Sequence, residues 1–194
     1  MIGRCTLVFG VSGVGKTSAC KAYVATHPDT LFVSASDLLR AARQSSAEAL
    51  RTAPADRVVE NQSLLASALS AFRAGREDSP ILIDAHGVID NDRELVRVPV
   101  SAIAPLAPDQ LILLEAPAEE VAARRASAER PRPVRNLDAI VKEIATEREV
   151  VSGFASALNL HLVIAEAGIG FTLDALLDAT CPSPPTGATS KWAG

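Results

Sequence analysis

Long apolar runs, aromatic residues and cysteine are all scarce in this chain. No stretch approaches the roughly 18 consecutive apolar residues that a membrane span requires, so no membrane partner is expected. The start, MIGRCTLVFG, has no basic region, no long apolar segment and no small-residue cleavage site; it predicts no secretory leader and a cytoplasmic location. Cys5, Cys20 and Cys181 are odd in number and lack the short spacings of metal sites, which favours reduced, structural thiols. Aromatics make up only 4% of the 194 residues, whereas 34 are alanine, so close helix–sheet packing must replace large rings in the core. A net charge of −4 supplies no overall field to attract nucleic acid, and no nucleic-acid partner is expected, although a local basic site is still allowed.

Against that background, strand and helix signals alternate almost throughout. Apolar runs at 4–10, 31–35, 81–83, 111–115 and 160–165 read as strands. Helical patterns occupy 16–26, 37–43, 55–74, 118–129, 137–158 and 172–179. Buried strands separated by helices are what a parallel sheet needs, because its crossover connections cover both faces. The expected fold is therefore α/β, with a five-stranded parallel sheet and helices on both faces. One domain over 1–180 accounts for it. Two segments fall outside the rhythm. Residues 85–110, with Pro99, Pro105 and Pro108, read as a structured loop near the carboxyl edge of the sheet. Residues 181–194 read as a flexible tail, because prolines and small polar residues bury too little area to offset ordering.

Gly10-Val11-Ser12-Gly13-Val14-Gly15-Lys16-Thr17 matches G-x-x-x-x-G-K-[ST] and lies between a strand and a helix, the context the motif requires. At this chain's own residue frequencies a chance match is expected only about 0.002 times. Backbone N–H groups of residues 10–18 (Gly10, Ser12, Gly13, Val14, Gly15, Lys16, Thr17 and Ser18) can converge on phosphate oxygens at the positive end of the following helix. Lys16 is placed to reach the β- and γ-phosphates, and the Thr17 hydroxyl to bind Mg²⁺. ATP and Mg²⁺ are the expected cofactors, and the motif makes the expected α/β fold a three-layer arrangement of P-loop NTPase type.

Asp84 ends the run Ile81-Leu82-Ile83 and reads either as the carboxylate that holds Mg²⁺ or as a cap for the next turn. Arg124, Arg125, Arg130, Arg132 and Arg135 fall within 12 residues, broken by Pro131 and Pro133. They read as a lid-like segment over 124–137 that closes on phosphates, or as a solvated charge cluster.

These motifs resemble the adenylate kinases. The loop GVSGVGKT is followed by Val33-Ser34-Ala35-Ser36-Asp37-Leu38-Leu39-Arg40, similar to the family's Asp-x-Leu-Arg helix, and Ile83-Asp84-Ala85-His86-Gly87 looks like the archaeal-type members, which have Asp-Thr-His there. The resemblance implies acceptor-binding helices over 36–75, with Arg40 and Arg51 near the acceptor's phosphate. It makes Arg124, Arg125 and Arg135 phosphate ligands from the lid side, and puts Gly168 near the adenine of ATP. Arg40 also reads as a surface helix residue, and His86 either touches the acceptor or packs and caps. Arg148 reads as paired with Glu147 or Glu149. Ala85-His86-Gly87-Val88 stands where bacterial adenylate kinases have Gly-Phe-Pro-Arg, so the usual acceptor arginine is missing.

The expected function is an ATP-dependent phosphotransferase acting on a small acceptor, a nucleoside monophosphate by the resemblance. A neutral acceptor would instead need a carboxylate beside its hydroxyl, for which Asp37 is the attractive candidate. The alternative in another class is a P-loop ATPase with a regulatory or assembly role. No Asn-Lys-x-Asp base-reading motif points to a GTP switch.

Overall fold

Cys5-Thr6-Leu7-Val8-Phe9 is buried at every position, as a strand covered on both faces must be. In the computed structural model, which describes residues 2–44, 46–127, 135–168 and 170–178, it is the central strand of a parallel sheet. Arg130, Arg132 and the expected tail over 181–194 lie outside the described residues.

In chain order the elements are β1 (Cys5–Phe9), α1 (Lys16–Thr26), β2 (Leu31–Ser34), α2 (Ala35–Arg43), α3 (Ala47–Arg51), α4 (Ala55–Gln62), α5 (Leu65–Arg73), β3 (Ile81–Asp84), β4 (Val88–Asp90), β5 (Leu95–Arg97), α6 (Val100–Ile103), β6 (Gln110–Glu115), α7 (Ala118–Ala126), α8 (Leu137–Leu158), β7 (Leu162–Glu166) and α9 (Asp174–Asp178). The five-stranded sheet has the order β2-β3-β1-β6-β7 with all pairings parallel, as expected. On one face Leu7, Phe9, Ile83 and Leu113 pack against Leu65, Leu69, Val151 and Phe154. On the other, Val8, Leu82, Ile112 and Leu114 meet Cys20, Val121, Ile140 and Leu173. Phe9 and Phe154 stack tilted with centroids 5.6 Å apart, a rare aromatic contact in an aliphatic core. Among the described residues, no helix is long and apolar enough to cross a membrane.

Three expectations need correction. The stretch expected as one helix over 55–74 is two, because the chain turns at Ser63-Leu64, where the Ser63 hydroxyl donates to the Glu60 carbonyl; such local bonds compete with helix continuation. A further short helix, α3, precedes them, capped by Ser46 accepting the Ala49 N–H. Residues 85–110 are not simply a loop: β4 and β5 form an antiparallel hairpin, Val88 opposite Arg97 and Asp90 opposite Leu95. Three-residue strands are too short to show a period of two against the prolines that follow.

Because β1 lies between β3 and β6, its carboxyl end is where the connections lead off in opposite directions. Open parallel sheets place their ligand crevice there.

Candidate nucleotide and acceptor site

The loop after β1 is built for close backbone approach. Gly10 has φ 144°, and a Cβ there would lie 2.4 Å from the Leu114 carbonyl oxygen. Gly13 has φ 89°, and its Cβ would press on the Arg125 side chain at 3.0 Å. Neither position has room or conformational tolerance for a side chain. The loop delivers the chain into the N-terminus of α1, whose free N–H groups face the crevice.

That crevice is a cleft of about 590 Å³. Its nucleotide half is walled by Ser12, Gly13, Gly15, Lys16, Thr17 and Ser18. Gly10 and Val14 are buried behind the loop and contribute backbone only. Lys16 is 5% exposed, and its Nζ donates to the Gly10 carbonyl at 2.6 Å and the Val11 carbonyl at 3.3 Å. The same ammonium lies 3.6 Å from Asp84 Oδ1 and 3.4 Å from His86 Nδ1. The Thr17 hydroxyl donates to Asp84 Oδ2. Thr17 and Asp84 thus offer adjoining oxygen donors, the hard ligands Mg²⁺ takes alongside nucleotide phosphates. Among the described residues no group of three or more His, Cys, Asp or Glu forms a cage of its own.

The arginines of α7 brace the loop instead of standing free above it. Arg124 donates to the carbonyls of Val14 (2.7 Å) and Ala167 (3.0 Å), and also pairs with Glu120. Gly168 follows Ala167 but is not on the cleft wall. Arg125 donates to the Ser12 carbonyl at 2.8 Å and grips Glu143 with both Nη atoms at 2.8 and 2.9 Å. This pair is almost fully buried, with side-chain exposures of 7% and 5%.

The acceptor half is walled by α2 to α4 and the β4–β5 hairpin. Asp37 stands on this wall in the first turn of α2; burial pushes its carboxyl up, but Ser34 and Arg40 together outweigh that and hold it below the usual carboxylate range. Arg40 is half-exposed off the wall and pairs with Asp37. Arg51 is on the wall and bound to Asp92 and Glu48. Arg135, at the foot of α8, holds Asp90 at 2.8 and 2.9 Å. His86 also lines the cleft. Arg148 is corrected: its partner is Glu115, since neighbouring positions on a helix do not face each other.

Glu147 was not apparent from the sequence as a site residue. It is 1% exposed on α8, and its Oε1 accepts the N–H groups of Gly10 (3.0 Å) and Gly87 (2.9 Å) while Oε2 accepts that of Val88 (2.7 Å). The β1–β3 ladder ends with the Ala85 N–H donating to the Val8 carbonyl at 2.9 Å; beyond it this carboxylate takes up the three amides and ties the phosphate loop to the turn that follows Asp84 and carries His86. Burial pushes its carboxyl above the ordinary value, against the pull of those amides and of Lys16. The signal was present in the stripe Ile140, Glu143, Glu147, Val151, Phe154, which puts glutamates at core positions of a helix. Gln62, 7% exposed at the end of α4, also lines the cleft and was not singled out by its sequence context.

Residues 9–141 match the protein family described as the AAA domain. The chain belongs to that family. No curated protein matches this AAA-domain chain in sequence. Its fold is similar to that of shikimate kinase from Acinetobacter baumannii, solved in complex with shikimate (12% identity, 92% of this chain and 96% of that one, TM-score 0.62). It is similar also to shikimate kinase from Bacteroides thetaiotaomicron (12%, 90% and 98%, TM-score 0.60). An unliganded sugar kinase from Janibacter is a third (20%, 85% and 86%, TM-score 0.52). These likenesses concern the α/β P-loop fold and do not single out adenylate kinases.

Proposed function

We propose that this AAA-domain protein is an ATP-dependent kinase that phosphorylates a hydroxyl group of a small acceptor. The observation that carries the reading is Asp37: its carboxylate is held ionised on the wall of the same cleft that contains Lys16 and Asp84. A P-loop ATPase has no need of such a group in a second subsite, whereas a hydroxyl acceptor needs one to orient it and take its proton. The fold likeness to a shikimate kinase and a sugar kinase supports the same direction.

In this reading the amides of residues 12–18 hold the triphosphate of ATP, that of Gly10 being taken by Glu147, contrary to expectation, and Lys16 leaves the Gly10 and Val11 carbonyls to meet the β- and γ-phosphates. Thr17 and Asp84 would hold Mg²⁺, which would neutralise charge on the phosphates. The acceptor oxygen bonds to the γ-phosphorus, the bond from that phosphorus to the bridging oxygen breaks, the hydroxyl proton passes to Asp37, and ADP leaves. Arg124 and Arg125 keep the loop in shape through its carbonyls while charge moves. A nucleoside monophosphate acceptor is the second reading, favoured by Arg51 on the cleft wall.

Purified protein with Mg-ATP and a panel of hydroxylated small molecules and nucleoside monophosphates tests this, with phosphorylated product detected directly. Acceptor-dependent ADP formation is expected, and Asp37→Asn should lower kcat by roughly 10²–10⁴-fold, the usual range for loss of a general base. Phosphate release that no acceptor changes would sink the kinase reading in favour of an ATPase.

A further inference from the structure

We infer that the acceptor is an uncharged molecule, and that Asp90 and Asp92 at the tip of the β4–β5 hairpin set that choice. The inference rests on the kinase reading and adds the acceptor's charge class. Arg51 donates through Nη1 to the Asp90 carbonyl (3.0 Å) and Asp92 Oδ1 (2.8 Å), and through Nη2 to Asp92 Oδ2 (2.9 Å) and Glu48 Oε1 (2.6 Å). Arg135 grips Asp90 with Nε and Nη2 and lies 3.8 Å from Asp92. Both guanidinium groups therefore use the two-pronged geometry that would otherwise suit a carboxylate or phosphate ligand.

The hairpin tip that presents these carboxylates is itself tied down. Asn91 Oδ1 accepts the N–H groups of Arg93 and Glu94, and Asp90 Oδ1 accepts that of Asp92, which sits at φ 74°. An anionic acceptor would have to displace a carboxylate that stays close by and then repels it.

An independent observation points the same way. Gln62 is more than nine-tenths buried, and it lines this wall. A carboxamide is a neutral group that both donates and accepts, and it is suited to an uncharged polar edge. Around it the wall is apolar, with Leu39, Leu50, Leu65, Ile103 and Leu106. The acceptor class that fits has a reacting hydroxyl, one neutral hydrogen-bonding edge for Gln62, and an otherwise apolar or lightly polar body.

The test uses acceptor pairs that differ by one charged group: glycerol and glycerate, ribose and ribose 5-phosphate, adenosine and AMP. Each is assayed with Mg-ATP on wild type, Asp92→Asn, the Asp90→Asn/Asp92→Asn double variant, and Gln62→Met, with folding checked by thermal melting. Wild type is expected to favour the uncharged member about 100-fold in kcat/KM, on the scale at which buried polar groups discriminate. The double variant should shrink that preference at least ~10-fold by releasing Arg51 and Arg135. Where it melts early, Asp92→Asn alone should shift the ratio in the same direction. Gln62→Met should raise the acceptor KM about 10-fold and leave the KM for ATP unchanged. A wild-type preference for the charged members, or an unchanged ratio in folded Asp92→Asn, overturns the charge assignment and leaves the kinase standing. Absence of acceptor-dependent ADP with every compound overturns the kinase reading itself, and this inference with it.

Discussion

The two halves of the cleft balance their cations differently. In the nucleotide half Lys16, Arg124 and Arg125 all donate to main-chain carbonyls of the phosphate loop, although Asp84, Glu120 and Glu143 also reach them. In the acceptor half Arg51 on the wall, and Arg40 and Arg135 off it, are paired with the side-chain carboxylates of Asp92, Asp37 and Asp90. A carbonyl is a dipole and yields to a phosphate at modest cost, whereas a carboxylate carries a full charge and has to be displaced. A lysine that rests on its own loop's carbonyls is set to exchange them for an anion, while Arg124 and Arg125 keep theirs and hold the loop's shape. A wall closed by ion pairs is set to exclude one.

The largest expected effect falls on the first half. Lys16→Ala should lower turnover by roughly a thousand-fold, the scale of one lost charge-stabilising group, with the fold intact by circular dichroism. Turnover within ten-fold of wild type would mean that the ammonium stays with the loop carbonyls and never reaches the nucleotide.

Glu147→Gln probes the seam between phosphate loop and hairpin. An amide oxygen remains, but its NH2 now faces an N–H donor, and at least one of the Gly10, Gly87 and Val88 amides is left unpaired. Loss of about 1–3 kcal/mol in urea unfolding is expected, together with weaker Mg-ATP binding, from the cost of an unsatisfied buried group. An unchanged unfolding midpoint would show that the carboxylate is not what joins the two segments.

The smallest effect concerns acid stability of the second half. The Asp37 carboxyl is held below the usual carboxylate range, so its contacts with Ser34 and Arg40 stabilise the fold above the unfolded value. That contribution is lost as pH falls through the lower folded value, in a window beneath about pH 4. Its size is limited because the Asp37 and Arg40 side chains are each 48% exposed and screened by solvent. Asp37→Asn should flatten the fall of the urea midpoint between pH 4 and 2; an identical fall in both proteins would remove the ion pair from the account.

How much was legible follows from the length scale of each signal. The five strands and the long helix α8 were legible because runs such as Leu111-Ile112-Leu113-Leu114 and an apolar stripe of 22 residues report their own environment. The phosphate loop was legible because its residues are contiguous. The hairpin, the break at Ser63 and α3 were not, since each is set by a few neighbouring residues, too short a stretch for a hydrophobic period to show. The pairing of Arg51 with Asp92, across 41 residues, leaves no local trace. Asp84 could be picked out as a strand-end carboxylate and Asp37 as one opening a helix after a strand; Glu147 left a trace in the stripe of α8 but its role did not show, and Gln62 could not be told from an ordinary helix polar residue until its burial was known.

By itself, then, this sequence determined the layer order and the place where a phosphate loop leaves the sheet, because hydrophobic period and glycine-rich spacing act over short stretches of chain. Only the tertiary structure decided which carboxylate faces which guanidinium, since side chains tens of residues apart meet at distances set by packing, and it is at those distances that a charge is either offered to a ligand or cancelled.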